Sequence, residues 1–573
     1  NWYVDYQNGT NSNTGSTPVL AVKTIEYLVT NNFIQPNDTV LIIGQYNNPS
    51  YNPNFTYGGN SDRNNPHIWH GENTIKLNNL NGAPNQNITI KPFDTTTVLK
   101  GDGANIFRIT NCSYLNIKGF EISGEVNQIP VSTAEGLLTD GLQFLYLAAN
   151  TVDKHNPTLN EVLFRVAVGT TIQQVDTTGF PIIGTVTRPS YTDTRGLYIS
   201  NSDHINISNN LIHLMPGGGL RVSESSYITI EENEIQNCSR RSYSGTHALV
   251  VTKAKPGTAN MTDDTTYSIK VLRNIVRDNY NEVFSWVGTK DSITPRIDEG
   301  KGISLQRNNL AAWKSSNLRI LVANNLCYWN GFSGAHSNDG WHIDFINNTC
   351  NMNSYTNTVT YANDQKGNNI GISAQGGDDI RIINNISVID TDWGGFAISS
   401  GGTANLSVSD NLIFGTNGIP TQDPDVNAID INTSISDPLF VNPITFNFAL
   451  QQNSPAIGIA NTLFSLENDL FDHLRDNFPD LGAIEYLAPL SIKHPDKAAI
   501  KVYPNPFQNT IAILSTADIH DEDIAIINIL GQDMTKWVAV SYRKHEIQID
   551  ASKLPNGFYV IRAKNFTQLV NKQ

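Results

Sequence analysis

Basic, acidic and aromatic side chains gather between residues 240 and 361, in segments that show neither helical nor strand periodicity. Enzymes use such side chains for proton transfer, for charge neutralisation and for stacking on flat substrates. The candidates for catalysis are Arg240, Arg241, His247, Glu282, Asp298, Lys301, Asp339 and His342. The candidates for substrate binding are Trp286, Trp341 and Tyr361. Two reactions would use this set differently.

The first reaction is β-elimination on a sugar acid. A lyase must neutralise the sugar carboxylate with Arg, Lys or Ca²⁺, and a base must then remove the neighbouring proton. The residues that could supply these roles are Arg240, Arg241, His247 and Lys301. These basic residues stand out in an acidic chain and favour an anionic glycan as substrate.

The second reaction is hydrolysis with inversion, which needs two carboxyl groups roughly 6.5 to 9.5 Å apart, one protonated and one ionised. The residues that offer such a pair are Glu282, Asp298, Glu299 and Asp339. An ordinary structural role is the alternative for each: a loop carboxylate is usually solvated, and His342 fits a turn. The three aromatic candidates would stack on sugars in either reaction or pack against a loop. The choice between lyase and hydrolase stays open at this point.

The net charge and the distribution of apolar residues exclude several classes of binding partner. The formal net charge of −15 argues against nucleic acid or an anionic membrane as a partner. No run of 18 or more apolar residues predicts a membrane span. The chain begins at Asn1 and lacks a basic segment followed by an apolar one, which predicts a mature protein whose signal peptide has been removed. We therefore expect a secreted or cell-surface protein.

A structural repeat must position these side chains. Residues 196–210 and 219–233 share one pattern, offset by 23 residues, in which two short runs of alternating apolar residues are separated by Ser, Asn and Asp. Such alternation is typical of β-strands, and units that cannot bury their apolar face alone must stack, with about 4.8 Å between strands. The sequence predicts an all-β protein built on a right-handed parallel β-helix.

Repeated asparagines mark the coils of this helix. They fall at Asn210, Asn233, Asn274, Asn325, Asn348, Asn385 and Asn411. Asparagine tolerates the left-handed turn conformation and can hydrogen-bond to the next coil, so we expect a structural role. Because a minimal coil takes about 23 residues, the longer steps after Asn233, Asn274 and Asn348 predict loops on one face that wall a groove.

Cysteine residues and acidic pairs are candidates for a disulfide and for metal ligands. Cys327 and Cys350 lie 23 residues apart and should stack on adjacent coils, either as small core residues or as a disulfide. No Cys-x-x-Cys or His-x-x-x-His pattern indicates a metal site. Asp- and Asn-rich turns would suit a Ca²⁺ cofactor, although the pairs at 263–264 and 378–379 lack the spacing of a calcium loop.

The N-terminal segment resembles the cap of secreted β-helix proteins of the pectate-lyase-like superfamily. The resemblance lies in Trp2–Asp5, in Gly9–Gly15 and in Gln35–Gly44, where Asn37 replaces the usual glycine. A cap would cover strand edges that an open end leaves unpaired. Residues 130–190 lose the repeat and predict an insertion, with a strand at 162–168.

Two C-terminal segments also resemble known modules. Residues 436–486 are similar to a closing module of secreted bacterial β-helix proteins, which should seal the C-terminal end of the helix. Residues 499–573 resemble the type A sorting domain of the Bacteroidetes type IX secretion system, through Val502–Pro506, Gly531–Met534 and Leu554–Val560. That resemblance implies a small seven-stranded β-sandwich and the type IX translocon as a partner. The predicted domains are 1–487, a linker at 488–498, and 499–573.

The segments at 241–247, 298–303 and 330–334 resemble stretches of secreted bacterial β-helix proteins that act on polysaccharides. The resemblance implies a secreted carbohydrate-active protein that binds and cleaves a polysaccharide, as a polysaccharide lyase or a glycoside hydrolase. It assigns no catalytic residue. A non-catalytic adhesin or glycan-binding protein is the alternative, because one fold serves many functions.

Overall fold

The computed structural model describes residues 1–47, 74–134, 146–147, 162–165, 172–174, 190–242, 246–283, 299–353, 369–393, 395–420, 422–427, 429–487, 501–514, 524–528, 531–543, 546–563 and 566–573. The chain divides into two compact units, Asn1–Tyr486 and Leu487–Gln573. Within the described ranges, none of the helices has the length and hydropathy needed to span a bilayer.

The larger unit is a parallel β-helix with three ladders of strands, one strand from each ladder per coil. The first ladder comprises Ile75–Asn78, Asn105–Thr110, Arg195–Ser200, Leu220–Ser223, Leu249–Thr252, Ile303–Gln306 and Gly395–Gly401. The second comprises Trp2–Asp5, Thr39–Ile43, Ile88–Pro92, Ser113–Lys118, Asp203–Ser208, Ser226–Glu231, Tyr267–Leu272, Arg319–Ala323 and Ala404–Ser409. Two long strands, Ser333–Ile346 and Asn369–Ile383, run through both ladders and join them into one sheet.

The third ladder is a separate sheet of short strands. It comprises Gln45–Asn47, Val98–Lys100, Glu121–Ser123, Leu211–His213, Glu234–Gln236, Ile275–Arg277, Leu326–Tyr328, Thr349–Asn351, Ile386–Ile389, Leu412–Gly415 and Ser434–Ile435. Its strands, like those of the other two ladders, pair in parallel with those of the next coil. Alternate side chains point inward and form one buried core along the helix.

The repeat seen in the sequence sets the register. Leu197 pairs with Leu220, and Ile205 pairs with Ile228, so residues 23 apart lie side by side. Each first-ladder strand therefore buries the same positions as its neighbours. The predicted parallel β-helix is confirmed.

A continuous ladder of asparagines forms the corner between the second and third ladders. In each step the side-chain amide of one asparagine donates to the side-chain oxygen of the next, as between Asn325 and Asn348 at 2.9 Å. The same bond links all seven asparagines named above. Their predicted structural role is confirmed. A second ladder, not predicted, runs through Asn279, Asn330 and Asn353.

Cys327 and Cys350 pair across adjacent third-ladder strands, as their spacing predicts. Both thiols are free and fully buried, so they belong to the core and form no disulfide. Burial also raises the pKa of the Cys238 thiol to about 12.

The N-terminal cap contains two strands and a short helix. The strand Trp2–Asp5 pairs with Thr39–Ile43, and the helix Ile25–Thr30 buries Ile25 and Leu28 against the first coils. Thr24 accepts a hydrogen bond from the backbone of Tyr27 and caps that helix. Other short helices lie at Val131–Ala134, Ala311–Lys314 and Pro424–Asn427, with 3₁₀ turns at Pro18–Leu20, Val126–Gln128, Ser190–Asp193, Thr391–Trp393, Pro443–Thr445 and Thr535–Trp537.

Residues 436–486 form a module on the β-helix. They pack along its side, where Phe440, Phe448 and Leu481 cover the outward face of the third ladder at Leu326 and Ile386. The reason is that these third-ladder strands carry apolar residues on both faces, and the outer face needs a cover. The helix Pro424–Asn427 inserts Val426 into the core beside the last coils.

Within the insertion at 130–190, the described residues include an antiparallel sheet of Tyr146–Leu147, Val162–Arg165 and Ile172–Gln174. The predicted strand at 162–168 thus begins as expected, and residues 166–168 lie outside the described ranges. A small antiparallel pair, Phe440–Asn442 with Asn447–Leu450, lies in the side module.

The smaller unit consists of two antiparallel sheets. One contains Lys501–Tyr503, Thr510–Leu514, Ala539–Arg543 and Glu546–Asp550, and the other contains Ala525–Asn528, Gly557–Ala563 and Phe566–Lys572. A separate apolar core that includes Ile513, Ile549 and Ile561 lies between them. The predicted β-sandwich is confirmed.

Candidate active site

Long connections leave the β-helix at the corner where the third ladder passes into the first. The connection that follows Tyr328 is short and comprises only residues 329–332. The connections that follow Gln236 and Arg277 are longer and comprise residues 237–248 and 278–302. Six of the eight predicted catalytic residues belong to these two longer connections. A second set of connections, 253–266 and 307–318, leaves at the corner between the first and second ladders.

His247 and Lys301 occupy equivalent positions on neighbouring coils. Each lies two residues before a first-ladder strand, and those strands pair Leu249 with Ile303. The backbone N–H of Ala248 donates to the carbonyl of Lys301 at 2.9 Å, which fixes the alignment. His247 is 4% exposed and Lys301 is 6% exposed, so both polar side chains lie in a protected site.

Glu299 and Gln306 complete this cluster. The Nζ of Lys301 donates to Oε2 of Glu299 at 2.6 Å, and Nε2 of His247 lies 3.5 Å from the same oxygen. The side-chain amide nitrogen of Gln306 lies 2.8 Å from Nε2 of His247 and 2.8 Å from the hydroxyl of Ser304. With its proton on Nδ1, a neutral His247 accepts from Gln306 at Nε2.

A second buried histidine lies on the outward face of the first ladder. His336 is in register with Ser304 on one side and Ser373 on the other, and its Nδ1 lies 2.6 Å from the Ser373 hydroxyl. It is 4% exposed.

The electrostatics of the cluster keep both histidines neutral. Burial, followed by the positive charge of Lys301, lowers the pKa of His247 well below its ordinary value. The same two causes lower the pKa of His336. An imidazole kept neutral beside a cation can act as a base near neutral pH.

A separate cluster lies at the corner between the third and first ladders and consists of Arg240, Arg241 and Glu282. Arg241 makes an ion pair with Glu282 and donates through Nε to the carbonyl of Ile129 at 2.8 Å. The Nε of Arg240 lies 3.5 Å from Glu282, and its guanidinium lies 4.4 Å from the ring centroid of Tyr280. These contacts tie three connections together.

Asp339, Trp341 and His342 lie at the other corner, where the strand Ser333–Ile346 bends from the first ladder into the second. Asp339 and His342 both have positive φ there. Asp339 is exposed and accepts a hydrogen bond from Asn309. The Nδ1 of His342 lies 2.7 Å from Asp379, and the Lys314 ammonium lies 4.4 Å from the Trp341 ring centroid. This corner does not join the His247 cluster.

Three predicted residues, Trp286, Asp298 and Tyr361, lie outside the described residues. In the ranges that the structure describes, no group of three or more His, Cys, Asp or Glu side chains could hold a metal ion.

The sequence predicted no role for His336, Ser304 or Gln306. A signal for them exists in the first-ladder pattern Gly-x-polar-x-polar, found at 302–306, 334–338 and 371–375. Aligning those segments places the polar positions in two outward columns, which the strand register confirms.

Two family models match the chain. The right handed beta helix region matches residues 169–320. The secretion system C-terminal sorting domain matches residues 501–573. A search of curated proteins found no match.

Several solved structures are similar at low identity. A GH136 lacto-N-biosidase from Eubacterium ramulus is 11% identical, with 76% of this chain and 67% of that chain covered and a TM-score of 0.36. A mannuronan C-5 epimerase A-module from Azotobacter vinelandii is 10% identical, covering 75% and 95%, with a TM-score of 0.36. An alginate lyase from a Paenibacillus species is 10% identical, covering 75% and 99%, with a TM-score of 0.31. Similarity at this level does not extend to function.

The sorting domain marks proteins that the type IX secretion system exports to the cell surface or the extracellular space. The sorting-domain match identifies the C-terminal unit, and the strand register with the β-helix match identifies the larger unit. It is a secreted right-handed parallel β-helix protein that carries a type IX C-terminal sorting domain.

Proposed function

We propose that this protein binds an anionic polysaccharide containing uronic acids and cleaves it by β-elimination. The observation that carries the proposal is the buried pairing of a neutral His247 with Lys301 on neighbouring coils. A lyase needs a base and a cation side by side, because the base removes a proton from the carbon next to the carboxylate that the cation neutralises.

The proposed roles follow from the contacts. Lys301 turns from Glu299 toward the substrate carboxylate and stabilises the negative charge that develops on it. Nε2 of His247 exchanges its contact with Gln306 for the proton on C5 of the uronate. The electron pair of that C–H bond forms the C4–C5 double bond, the bond from C4 to the glycosidic oxygen breaks, and the departing oxygen takes a proton from solvent.

Burial supports these roles. Taking His247 and Lys301 out of water strengthens the attraction between the ammonium and the substrate carboxylate. Arg240, Arg241 and Glu282 would contribute by holding the surrounding connections, since their contacts are to one another and to neighbouring loops.

The test is incubation with polygalacturonate, alginate and neutral glucans, following ultraviolet absorbance of the unsaturated product and new reducing ends. The proposal expects both signals to rise with a polyuronate. Reducing ends without absorbance would mean hydrolysis and would move the catalytic role to Glu299. Retention on a polyuronate gel without either signal would overturn cleavage and leave a glycan-binding protein.

A further inference from the structure

A column of cationic and aromatic side chains lies on the first ladder before the His247 cluster. Arg108, Tyr198 and Arg221 are in register on three successive strands, at positions that point away from the core. All three are partly exposed. The same column continues through Val250 and Ser304 to His336.

The tyrosine ring holds the two guanidinium groups in place. The Arg108 guanidinium lies 3.8 Å from the ring centroid of Tyr198, and that of Arg221 lies 5.8 Å from it. Arg108 also donates through Nη2 to the hydroxyl of Ser200 at 3.0 Å. Stacking of this kind orients a guanidinium and leaves its edge able to donate hydrogen bonds.

The carboxylate of Asp193 attracts Arg221, but it forms an ion pair with Arg195, at 3.3 Å. Across the described ranges, no carboxylate forms an ion pair with Arg108 or Arg221, in a chain of net charge −15. The Nε of Arg221 is buried and makes no hydrogen bond. Burial and then the charge of Arg195 lower the pKa of Arg221. Burial alone would raise the pKa of Tyr198, yet Arg221 and Arg108 bring it below its ordinary value.

An unpaired buried donor on a cation is costly unless a ligand satisfies it. Guanidinium groups match the planar geometry of carboxylates and also bind sulfate esters. Neighbouring coils are about 4.8 Å apart, so Arg108 and Arg221 stand two coil steps, roughly 10 Å, from each other. A linear polymer lying along the helix axis would meet both.

We propose that Arg108 and Arg221, on either side of Tyr198, form a second anion-binding site that takes carboxylate or sulfate groups of a polysaccharide running along the first ladder. This inference rests on the anionic substrate of the proposed function, but it concerns binding on the coils that precede the coil of His247, with Arg221 one coil and Arg108 three coils before it. It makes the chain a binder of polymers rather than of single sugars.

The experiment is affinity electrophoresis of the folded full chain through gels that contain polygalacturonate, dextran sulfate or neutral dextran, at low and high salt. The variants are Arg108→Gln, Arg221→Gln and the double variant. Arg108→Lys keeps the charge. Lys118→Gln is the matched control, since it removes one positive charge from an exposed position on the second ladder. Circular dichroism confirms that each variant is folded.

The proposal expects retention of the wild type on an anionic gel, weaker at high salt, with the double variant at least tenfold weaker in apparent Kd and Lys118→Gln unchanged. Retention on polygalacturonate identifies carboxylate as the ligand, and retention on dextran sulfate alone identifies sulfate. Equal retention of the double variant and wild type would overturn the site, as would no retention on any anionic gel. Binding without cleavage would overturn only the proposed function.

Discussion

The Nζ of Lys301 and the Nε2 of His247 approach the same atom, Oε2 of Glu299, at 2.6 and 3.5 Å. One buried carboxylate thus bridges a lysine and a histidine that lie 54 positions apart in the chain and on adjacent coils in space. The arrangement fixes the geometry of the proposed base and cation before any substrate arrives. It is the basis of the first two predictions.

His247→Ala should abolish most polyuronate cleavage while the protein stays folded. Removing a general base lowers turnover by about 10² to 10⁴-fold. The measurement is the initial rate of product absorbance, with the thermal midpoint as a check on folding. His213→Ala is the control, since His213 pairs with Glu121 on the third ladder and should leave the rate unchanged. A variant at position 247 with wild-type turnover would remove His247 from the mechanism.

Lys301→Met should move the acid limb of the pH–rate profile to higher pH. In the wild type the pKa of His247 is held well below its ordinary value by burial and by Lys301, so the base stays unprotonated in mild acid. Without the ammonium, that pKa rises and activity is lost at a higher pH as the pH falls. The residual kcat/KM against pH and the ring titration of His247 by NMR measure the shift. If the acid limb of the Lys301→Met profile stayed at the wild-type pH, Lys301 would not influence the pKa of His247.

Asp339→Asn should leave cleavage within about twofold of the wild type, because Asp339 is exposed at the corner between the first and second ladders. Its hydrogen bond to Asn309 does not reach the His247 cluster. The same initial-rate assay measures the effect, with His247→Ala assayed alongside. A loss of several hundredfold would place the chemistry at that corner and contradict the site proposed here.

Asn325→Ala should destabilise the larger unit by about 3 kcal/mol. The change removes the hydrogen bonds that the Asn325 side chain donates to the Val271 carbonyl and the Asn348 side-chain oxygen, and it removes the oxygen that accepts from the backbone and side-chain amides of Asn274. Urea unfolding measures the free energy. Asn417→Ala, at an exposed turn, is the control and should cost no more than about 0.5 kcal/mol. Equal losses of unfolding free energy for both variants would contradict the stabilising role assigned to the asparagine ladder.

All four cysteines should be unreactive toward a thiol reagent in the native protein and fully reactive in denaturant. The structure has each of them buried and free, and burial raises the pKa of Cys238 to about 12, which removes the reactive thiolate near neutral pH. Counting modified thiols by mass spectrometry before and after unfolding checks this. Two unreactive thiols in denaturant without reductant would indicate a disulfide.

The coil of the β-helix and its core could be predicted from the sequence alone. Apolar alternation and the 23-residue offset set which residues pair, because side chains in a strand alternate strictly between faces and stacked coils must keep register. The asparagine ladder followed for the same reason. The cap and the sorting domain were evident from local motifs such as Trp2–Asp5 and Val502–Pro506.

Which polar side chains come into contact could not be predicted from the sequence and depends on the folded chain. His247 and Lys301 became neighbours because the chain between them completes one coil of the helix, and sequence distance does not show where a coil closes. The sequence grouped His342 with them, yet the bend of one long strand carried it to another corner. His336 and Arg221 escaped notice because a lone polar residue in a strand shows its chemistry only through its neighbours on adjacent coils.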